Sequence, residues 1–358
     1  MKKYFLAVAS FFIYSHISLG QVYPGQMDST FVPVRSHHYD PELTFDFCVN
    51  EPAWSNQAGI HSAFGSTDRL YFRKEVPVNH DNDLSSSYST TVWRGERANA
   101  QILVWSSEAL EQVRVSTQDL RSAEGNIIPK DRITFELVRY VLSNYPYAEK
   151  KAICGESPYK SGFLMPDRFE TLDRFDLPSQ TTRPVWMMVD VPRGTAPGTY
   201  KGKVEVRAKG KAPQLLNLEI VVQNQLLPYP KDWKYRLDLW QNPWAVAWYN
   251  HVEPWSPEHK MLLKQHLKHY ADAGGTYITT YGVHSPWSDN SYMIEGGMIE
   301  WIKKADGTWA FDYKIFDEYV ELAMECGIDE AITLYTPIPW GFRHRYKDEA
   351  TGDYSYIN

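Results

Sequence analysis

Apolar and polar residues alternate with a period of two along the first part of the chain, up to about Leu227. Turn-forming residues separate the alternating segments, for example Gly125 with Asn126 and the PRGTAPG sequence of residues 192–198. Short strands of this period between such turns predict an antiparallel β-sandwich over residues 21–228. The clearest apolar positions are Val113, Val115, Ile133, Phe135, Leu137, Val204, Val206, Leu216, Leu218, Ile220 and Val222.

One stretch of that region, Ser143–Arg183, shows no clear period. Segments this long without a pattern are usually functional loops or disordered. Its aromatic content favours an ordered loop that packs on another part of the protein, such as a second domain. The aromatic residues are Tyr145, Tyr147, Tyr159, Phe163, Phe169 and Phe175.

The pattern changes after a proline-containing linker at residues 229–234. An aromatic-rich loop is expected over Gln241–Trp255, a hairpin over Met298–Phe311 and a further loop over Pro337–Tyr354. Strands alternating with helices through short links form parallel sheets. Residues 235–358 are therefore predicted to form the first three βα units of an incomplete (β/α)8 (TIM) barrel, or alternatively a small open sheet. The predicted strands are Tyr235–Trp240, Thr276–His284 and Ala331–Thr336, and the predicted helices are Pro257–Ala273 and Tyr313–Cys326.

Residues 1–20 have the pattern of a signal peptide, because Lys2 and Lys3 precede an apolar run that ends in small residues. That run is shorter than the ~20 residues that a membrane span needs. We therefore expect an exported protein, periplasmic or extracellular, with no membrane segment after cleavage. Because the predicted barrel is incomplete, the chain is expected to be a fragment or truncated product of a longer protein.

Charge and cysteine content narrow the function classes. The net charge is −7 without basic runs, which argues against nucleic acid and anionic membranes as partners. Cys48, Cys154 and Cys326 are too few for a disulfide scaffold, and the sequence leaves open whether Cys48 and Cys154 pair. Aromatic residues make up 15% of the chain, which suits stacking against sugars but also a large core.

Three segments resemble glycoside hydrolase family 123. WRGERANAQILVW (Trp93–Trp105) and RPVWMMVDVPRGTAPGTYKGKVEV (Arg183–Val206) are similar to its amino-terminal sandwich, and LDLWQNPWAVAWY (residues 237–249) resembles its first barrel strand and loop. The resemblance implies an exo-β-N-acetylgalactosaminidase that acts on a glycan with a terminal 2-acetamido sugar, without a cofactor. It also implies substrate-assisted, retaining chemistry, in which the substrate's acetamido oxygen attacks C1.

In that chemistry, an aspartate stabilises the oxazolinium intermediate and an adjacent glutamate acts as general acid and then base. The resemblance places this pair after a later barrel strand, so no catalytic residue is assigned within the chain and the pair is expected beyond Asn358. Three adjacent acidic pairs within the chain are better explained as a solvated helix face, the opposite end of the barrel and an exposed turn. They are Asp317 with Glu318, Asp329 with Glu330, and Asp348 with Glu349.

The predicted strand ends supply candidate substrate-binding residues on the C-terminal side of the sheet, where barrel sites form. For each indole, core packing is the alternative role. His259, His266 and His269 share a helix but lack a metal-site motif, so no metal is expected. The candidates are Asp238, Trp240, Trp244, Tyr281, His284, Trp287, Tyr335 and Trp340.

Two alternatives to a hydrolase remain open from the sequence. One is a carbohydrate-binding or scaffolding protein in which the sandwich is the working part. The other is an inactive fragment, because the three predicted strands do not close a barrel. The choice between galacto and gluco substrates depends on contacts to a single hydroxyl, and the sequence does not decide it.

Overall fold

The computed structural model describes residues 51–79, 84–143, 163–283, 297–335, 337–338 and 342–357. These residues fall into two compact units that divide between Leu227 and Pro228. The predicted signal peptide and the question of a Cys48–Cys154 disulfide lie outside the described residues. Within the described part of the chain, no helix is long and apolar enough to cross a membrane.

The first unit consists mainly of two β-sheets. Its strands are β1 (His61–Gly65), β2 (Ser87–Arg94), β3 (Arg97–Ser106), β4 (Leu110–Thr117), β5 (Leu120–Ser122), β6 (Ile127–Ile128), β7 (Ile133–Ser143), β8 (Phe163–Glu170), β9 (Phe175–Leu177), β10 (Thr181–Asp190), β11 (Gly198–Arg207) and β12 (Gln214–Leu226). One sheet has the order β1-β3-β10-β7-β8, and the other has the order β2-β12-β11-β4-β9. The expectation of a wholly antiparallel arrangement is wrong at one place, because β12 and β2 pair in parallel.

The core of this unit lies between the two sheets. Ile102 and Val185 from one sheet and Tyr200 and Leu218 from the other belong to a single buried cluster. Most of the alternating positions predicted to face inward are buried, with Val204 at 0% exposure and Leu218 at 1%, and the others are partly buried and pack against this cluster. The period-two strand predictions for β4, β7, β11 and β12 are therefore confirmed.

The prediction of a loop throughout Ser143–Arg183 is wrong, because part of this stretch forms β8, β9 and the start of β10. Strand β8 pairs with β7, and the register shifts between Arg139 and Tyr140. A register shift breaks the strict alternation on which the sequence prediction depended. Pro166 also lies within β8. Because β8 is the edge strand of its sheet, it tolerates a proline. Residues 144–162 lie outside the described residues.

The second unit combines helices with short strands. Its elements are α1 (Pro243–Asn250), α2 (Pro257–Asp272), β13 (Tyr277–Tyr281), β14 (Glu300–Lys303), β15 (Trp309–Asp312), α3 (Lys314–Glu325), β16 (Ala331–Tyr335), β17 (His344–Asp348) and β18 (Tyr354–Ile357). The two predicted helices are confirmed as α2 and α3, and the predicted hairpin as β14 and β15. The Ser256 hydroxyl accepts a hydrogen bond from the His259 amide and caps α2, as the sequence indicated.

Strands β13 and β16 are parallel neighbours, with Thr279 opposite Thr333. Apolar residues of α2 and α3, including Leu263 and Ala323, share a buried cluster with Ile278 of β13. This is the arrangement in which successive βα units bury one face of a parallel sheet. The incomplete (β/α)8 barrel stays a prediction.

Two predictions near the start of this unit are wrong. Residues 235–240 do not form a regular strand, because Leu237 makes only an isolated parallel bridge to Gly275. The Leu237 carbonyl instead accepts a hydrogen bond from the Tyr270 hydroxyl at 2.6 Å, which takes the place of a partner in a backbone ladder. The predicted loop Gln241–Trp255 contains helix α1.

A small second sheet, with the order β15-β14-β17-β18, completes this unit. Its first hairpin follows the end of β13, where the Ile299 amide donates to the Gly282 carbonyl at 2.9 Å. Strands β17 and β18 follow the end of β16, so the prediction of an irregular loop over Pro337–Tyr354 is also wrong. Because both connections leave the C-terminal ends of parallel strands, the small sheet lies at the end where the candidate site was predicted.

Candidate functional site

The same two-residue spacing ends all three parallel segments of the second unit. A polar residue is followed two positions later by an aromatic one in Asp238–Trp240, Thr279–Tyr281 and Thr333–Tyr335. Residues two apart in an extended segment point to the same face. The spacing therefore produces a polar layer, with an aromatic layer next to it towards the C-terminal ends.

Asp238 connects the polar layer across all three segments. Its Oδ1 accepts a hydrogen bond from the Thr279 hydroxyl at 2.9 Å, and its Oδ2 accepts one from the Thr333 hydroxyl at 3.1 Å. The carboxylate is exposed, while Thr279 is fully buried. An ionised carboxylate offers about four acceptor positions, so it keeps capacity for a further donor such as a sugar hydroxyl.

The aromatic layer brings together three of the predicted residues. The Trp240 ring is edge-on to Tyr335, with centroids 4.9 Å apart, and Tyr335 is 6.0 Å from Tyr281. Trp240 is 56% exposed, so most of its indole surface is open to solvent. Asp238, Trp240, Tyr335 and Tyr281 thus form one contiguous group at the ends of neighbouring segments.

Trp244 and Tyr281 are placed deeper than an open binding surface. Trp244 is 2% exposed in α1, and its ring lies 5.6 Å from Tyr281. The Tyr281 hydroxyl donates to the Gln241 carbonyl at 2.6 Å, and burial, with a smaller effect from Tyr335, raises the Tyr281 pKa to about 12. Both rings therefore belong to the buried packing of the site, and a substrate could contact them only if this cluster opened.

The remaining predicted site residues, His284, Trp287 and Trp340, lie outside the described residues. Sequence reasoning missed Thr279 and Thr333, which hold the Asp238 carboxylate. The signal was present, because both threonines precede a strand-ending tyrosine by two positions.

The three acidic pairs within the chain have structural partners. Glu318 in α3 contacts Lys260, and Glu330 accepts from Thr276 and Tyr277 at the start of β13, away from the strand ends. Glu349 pairs with Lys304 at 3.0 Å, a hydrogen bond that lowers its pKa. A general acid requires a raised pKa, so the environment of Glu349 is the opposite of what this role needs.

His259 has a structural role beneath the site. Its Nδ1 accepts from the Trp255 amide at 2.8 Å, and its Nε2 lies 2.8 Å from the Pro243 carbonyl. Together these bonds fix the neutral ring with its proton on Nε2. Burial lowers its pKa, opposed by the bond to Pro243. Among the described residues, no group of three His, Cys, Asp or Glu side chains is arranged to hold a metal ion.

Comparison with known families matches both units. Residues 64–208 match the glycoside hydrolase 123 N-terminal domain, and residues 240–358 match the glycoside hydrolase 123 catalytic domain. The chain belongs to glycoside hydrolase family 123. The second match begins at Trp240 and includes the remainder of the aromatic layer.

A solved family 123 structure shares the fold. It is the glycoside hydrolase from Clostridium perfringens that was studied for glycolipid glycan hydrolysis, with 25% identity, a TM-score of 0.76, and coverage of 84% of this chain and 52% of that chain. This chain thus spans about half the length of that enzyme. None of the curated proteins matches the sequence.

Other solved structures are much less similar. The PapD-like domain of human CEP192 has 12% identity and a TM-score of 0.21, covering 52% of this chain and 99% of that chain. The periplasmic chaperone SfaE has 11% identity and a TM-score of 0.21, covering 41% of this chain and 59% of that chain. At these scores, neither likeness bears on the function.

Proposed function

We propose that this chain supplies the sandwich and the opening of the barrel of an exo-acting β-N-acetylgalactosaminidase. Its substrate is a glycan with a terminal 2-acetamido sugar, and the mechanism is substrate-assisted and retaining. Family membership supports glycoside hydrolysis in general. The observation that carries the proposal to this site is the Asp238 carboxylate, held by two threonines beside the exposed Trp240 ring.

This arrangement suits the non-catalytic wall of a sugar site. Trp240 presents a flat, electron-rich surface to the polarised C–H bonds of a pyranose, and Asp238 accepts hydrogen bonds from its hydroxyls. Tyr335 holds the indole at its edge. Because the threonines fix the carboxylate before substrate arrives, little conformational entropy is lost when a hydroxyl binds.

The substrate's own acetamido oxygen is the proposed nucleophile, since it is already tethered beside C1. The protein must then stabilise the oxazolinium and transfer one proton to the leaving group and later one from water. Asp238 is assigned neither role, because the resemblance to the family places the catalytic pair after a later barrel strand. The catalytic Asp and Glu pair remains a prediction for sequence after Asn358. Export to the periplasm or the extracellular space is part of the same proposal.

The test uses the protein purified from its natural host, so that the result does not depend on the limits of this chain. Initial rates are measured with p-nitrophenyl β-glycosides of N-acetylgalactosamine, N-acetylglucosamine and galactose. We expect release from a 2-acetamido substrate, retention of configuration in the first product, and no release from the galactoside. Equal rates with galactose would contradict substrate assistance, and inversion would contradict the retaining mechanism.

A second assay uses the 358-residue chain itself. Little or no hydrolysis is expected, and clear release of N-acetylgalactosamine would contradict the assignment of the catalytic pair to later sequence. The alternative of a carbohydrate-binding or scaffolding protein predicts no hydrolysis by either preparation. It also predicts glycan binding that is unchanged in a Trp240→Ala variant.

A further inference from the structure

The small sheet of the second unit carries an aromatic surface that the proposed sugar site does not use. Cross-strand partners lie on the same face of a sheet, as do residues two apart along a strand. Trp301 is opposite Phe311, and Lys303 is opposite both Trp309 and Asp348. One face therefore collects an aromatic group, which we call the aromatic face: Trp301, Trp309, Phe311, His344 and Tyr346.

Ring contacts hold this face together. Trp301 lies in the middle, stacked on His344 at 5.1 Å and edge-on to Phe311 at 5.2 Å. Trp309 is edge-on to Trp301 at 6.0 Å and to Tyr346 at 5.2 Å. Tyr346 is 7% exposed, whereas Trp309 and Phe311 are 39% and 46% exposed. The inner rings thus fix two outer rings that remain open to solvent.

The position of the face links it to the candidate site. Its hairpin is hydrogen bonded to the end of β13, directly after Tyr281, where the Met298 amide donates to the Tyr281 carbonyl. Its other two strands follow β16, which ends at Tyr335. Both connections begin at residues of the aromatic layer, so a glycan whose terminal sugar lies beside Trp240 has its next sugars at the same end of the unit.

The chemistry of the exposed rings favours sugar over lipid or protein as the occupant. Aromatic faces attract the polarised C–H bonds of a pyranose through their quadrupole. A second exposed apolar surface of this unit, at Met324, Ile332 and Leu334, is aliphatic instead, with exposures of 55%, 48% and 48%. Aliphatic surface of that kind buries against other apolar groups without needing an aromatic partner. The aliphatic surface therefore suits an apolar partner, whereas the aromatic face suits a sugar.

We infer that the aromatic face is a second carbohydrate-binding surface, on which Trp309 and Phe311 stack against neutral pyranose units of the glycan that follow its terminal sugar. The inference rests on the proposed function for the identity of that terminal sugar. It assigns to the small sheet the recognition of an extended glycan, a role separate from the chemistry at C1.

The test is isothermal titration calorimetry on the whole chain with two probes. One is N-acetylgalactosamine, and the other is a neutral linear tetrasaccharide that ends in β-linked N-acetylgalactosamine. Trp309→Ala and Phe311→Ala are each expected to weaken tetrasaccharide binding about three- to tenfold, which corresponds to the loss of one aromatic stacking contact. Neither substitution should change binding of the monosaccharide. Trp309→Phe keeps a ring and should retain most of the affinity.

Trp93→Ala is the matched control, because Trp93 is 40% exposed, nearly the same as Trp309, and lies in the first unit. It should change neither titration. Unchanged tetrasaccharide binding in both Trp309→Ala and Phe311→Ala would overturn the inference, as would an equal loss with the monosaccharide. Binding of phosphatidylcholine vesicles that depends on Trp309 would identify a lipid surface instead, and a change of oligomeric state on gel filtration would identify a protein interface.

The outcome also separates the two proposals. If the wild-type chain binds the tetrasaccharide in a Trp309-dependent manner but the natural protein does not hydrolyse 2-acetamido glycosides, the aromatic face stands and the proposed hexosaminidase fails. If hydrolysis is found but tetrasaccharide binding does not depend on Trp309, the proposed hexosaminidase stands and the aromatic face fails. A wild-type chain that does not bind the tetrasaccharide overturns the aromatic face as a sugar-binding surface.

Discussion

The Asp238 carboxylate and the Thr279 hydroxyl, 2.9 Å apart, join the irregular first segment of the second unit to strand β13. The backbone contributes only the Leu237–Gly275 bridge at this junction. A side-chain contact thus makes a connection that a strand ladder would otherwise make, and it holds the carboxylate in one position. Under the proposed function, stability and sugar binding depend on the same atoms.

Replacing Asp238 by alanine should lower the free energy of unfolding by about 1–3 kcal/mol, because the buried Thr279 hydroxyl loses its acceptor. Urea denaturation followed by tryptophan fluorescence measures the change. Thr279→Ser keeps the hydroxyl, so its free energy of unfolding should fall less than that of Thr279→Val. The valine variant leaves the carboxylate with a hydrogen bond from Thr333 alone. A serine variant as unstable as the valine variant would show that packing of the methyl group, rather than the hydrogen bond, is responsible.

Trp240→Ala should weaken binding of N-acetylgalactosamine about three- to tenfold, because the variant loses one stacking surface. The ring is 56% exposed, so the unfolding midpoint should change little. Calorimetric titration measures the affinity. Tyr235→Ala serves as the control, since Tyr235 is 66% exposed in the same unit and lies outside the aromatic layer. Equal losses in both variants would argue against a specific role for Trp240.

Gly275→Ala should destabilise the second unit by about 1–3 kcal/mol, the usual cost of overpacking. An added Cβ would lie 2.2 Å from two atoms of the Tyr270 ring. That ring is held by its hydroxyl, which contacts the carbonyls of Leu237 and Tyr277 at 2.6 and 2.8 Å. Gly194→Ala is the comparison, because a Cβ there meets nothing within 4 Å. A midpoint of urea denaturation unchanged by Gly275→Ala would mean that the ring moves freely.

The stability of the second unit should fall as the pH drops below about 6.5, the ordinary pKa of histidine. Burial lowers the pKa of His259 in the folded protein, so below pH 6.5 the unfolded chain binds a proton that the folded chain does not. The contribution is thus fully present above the unfolded pKa and is lost as the pH falls towards the folded one. Protonation would also place a donor on Nδ1, opposite the Trp255 amide.

Thermal unfolding of the wild type and His259→Gln between pH 7.5 and 5 measures this effect. The wild type should lose more of its melting temperature over this range than the variant, since glutamine does not titrate. Carboxylates contribute equally to both proteins and cancel in the difference. Parallel pH profiles would show that His259 is protonated in the fold without cost.

The sequence predicted those parts of the fold in which each residue alternates between core and solvent. Leu218 and Ile220 of β12 are examples, because burial determines their pattern, and helix α2 was predicted from its apolar stripe together with its Ser256 cap. The sequence-based prediction failed where an edge strand or a bulge interrupts the alternation of polar and apolar residues, as in β8. It also failed at residues 235–240, where the Tyr270 hydroxyl, distant in sequence, takes a backbone carbonyl.

The candidate site was predicted in part for the same reason. Asp238, Trp240 and Tyr335 follow from their position at the ends of segments, which local patterns reveal. The burial of Trp244 depends on helix α1, and the aromatic face depends on pairing between strands β14 and β17, which are far apart in the chain. Neither is encoded in the local alternation of polar and apolar residues.

Ile302 of β14 pairs in parallel with Lys347 of β17, a strand that is synthesised later. The β14–β15 hairpin leaves the ribosome before β16 and β17, so the edge of β14 that later pairs with β17 is open for that interval. Open edges invite pairing with other chains, and charged residues on the edge reduce this risk. Glu300 and Lys303, at the two ends of β14, are charged residues of the kind that lowers this risk before β17 is made.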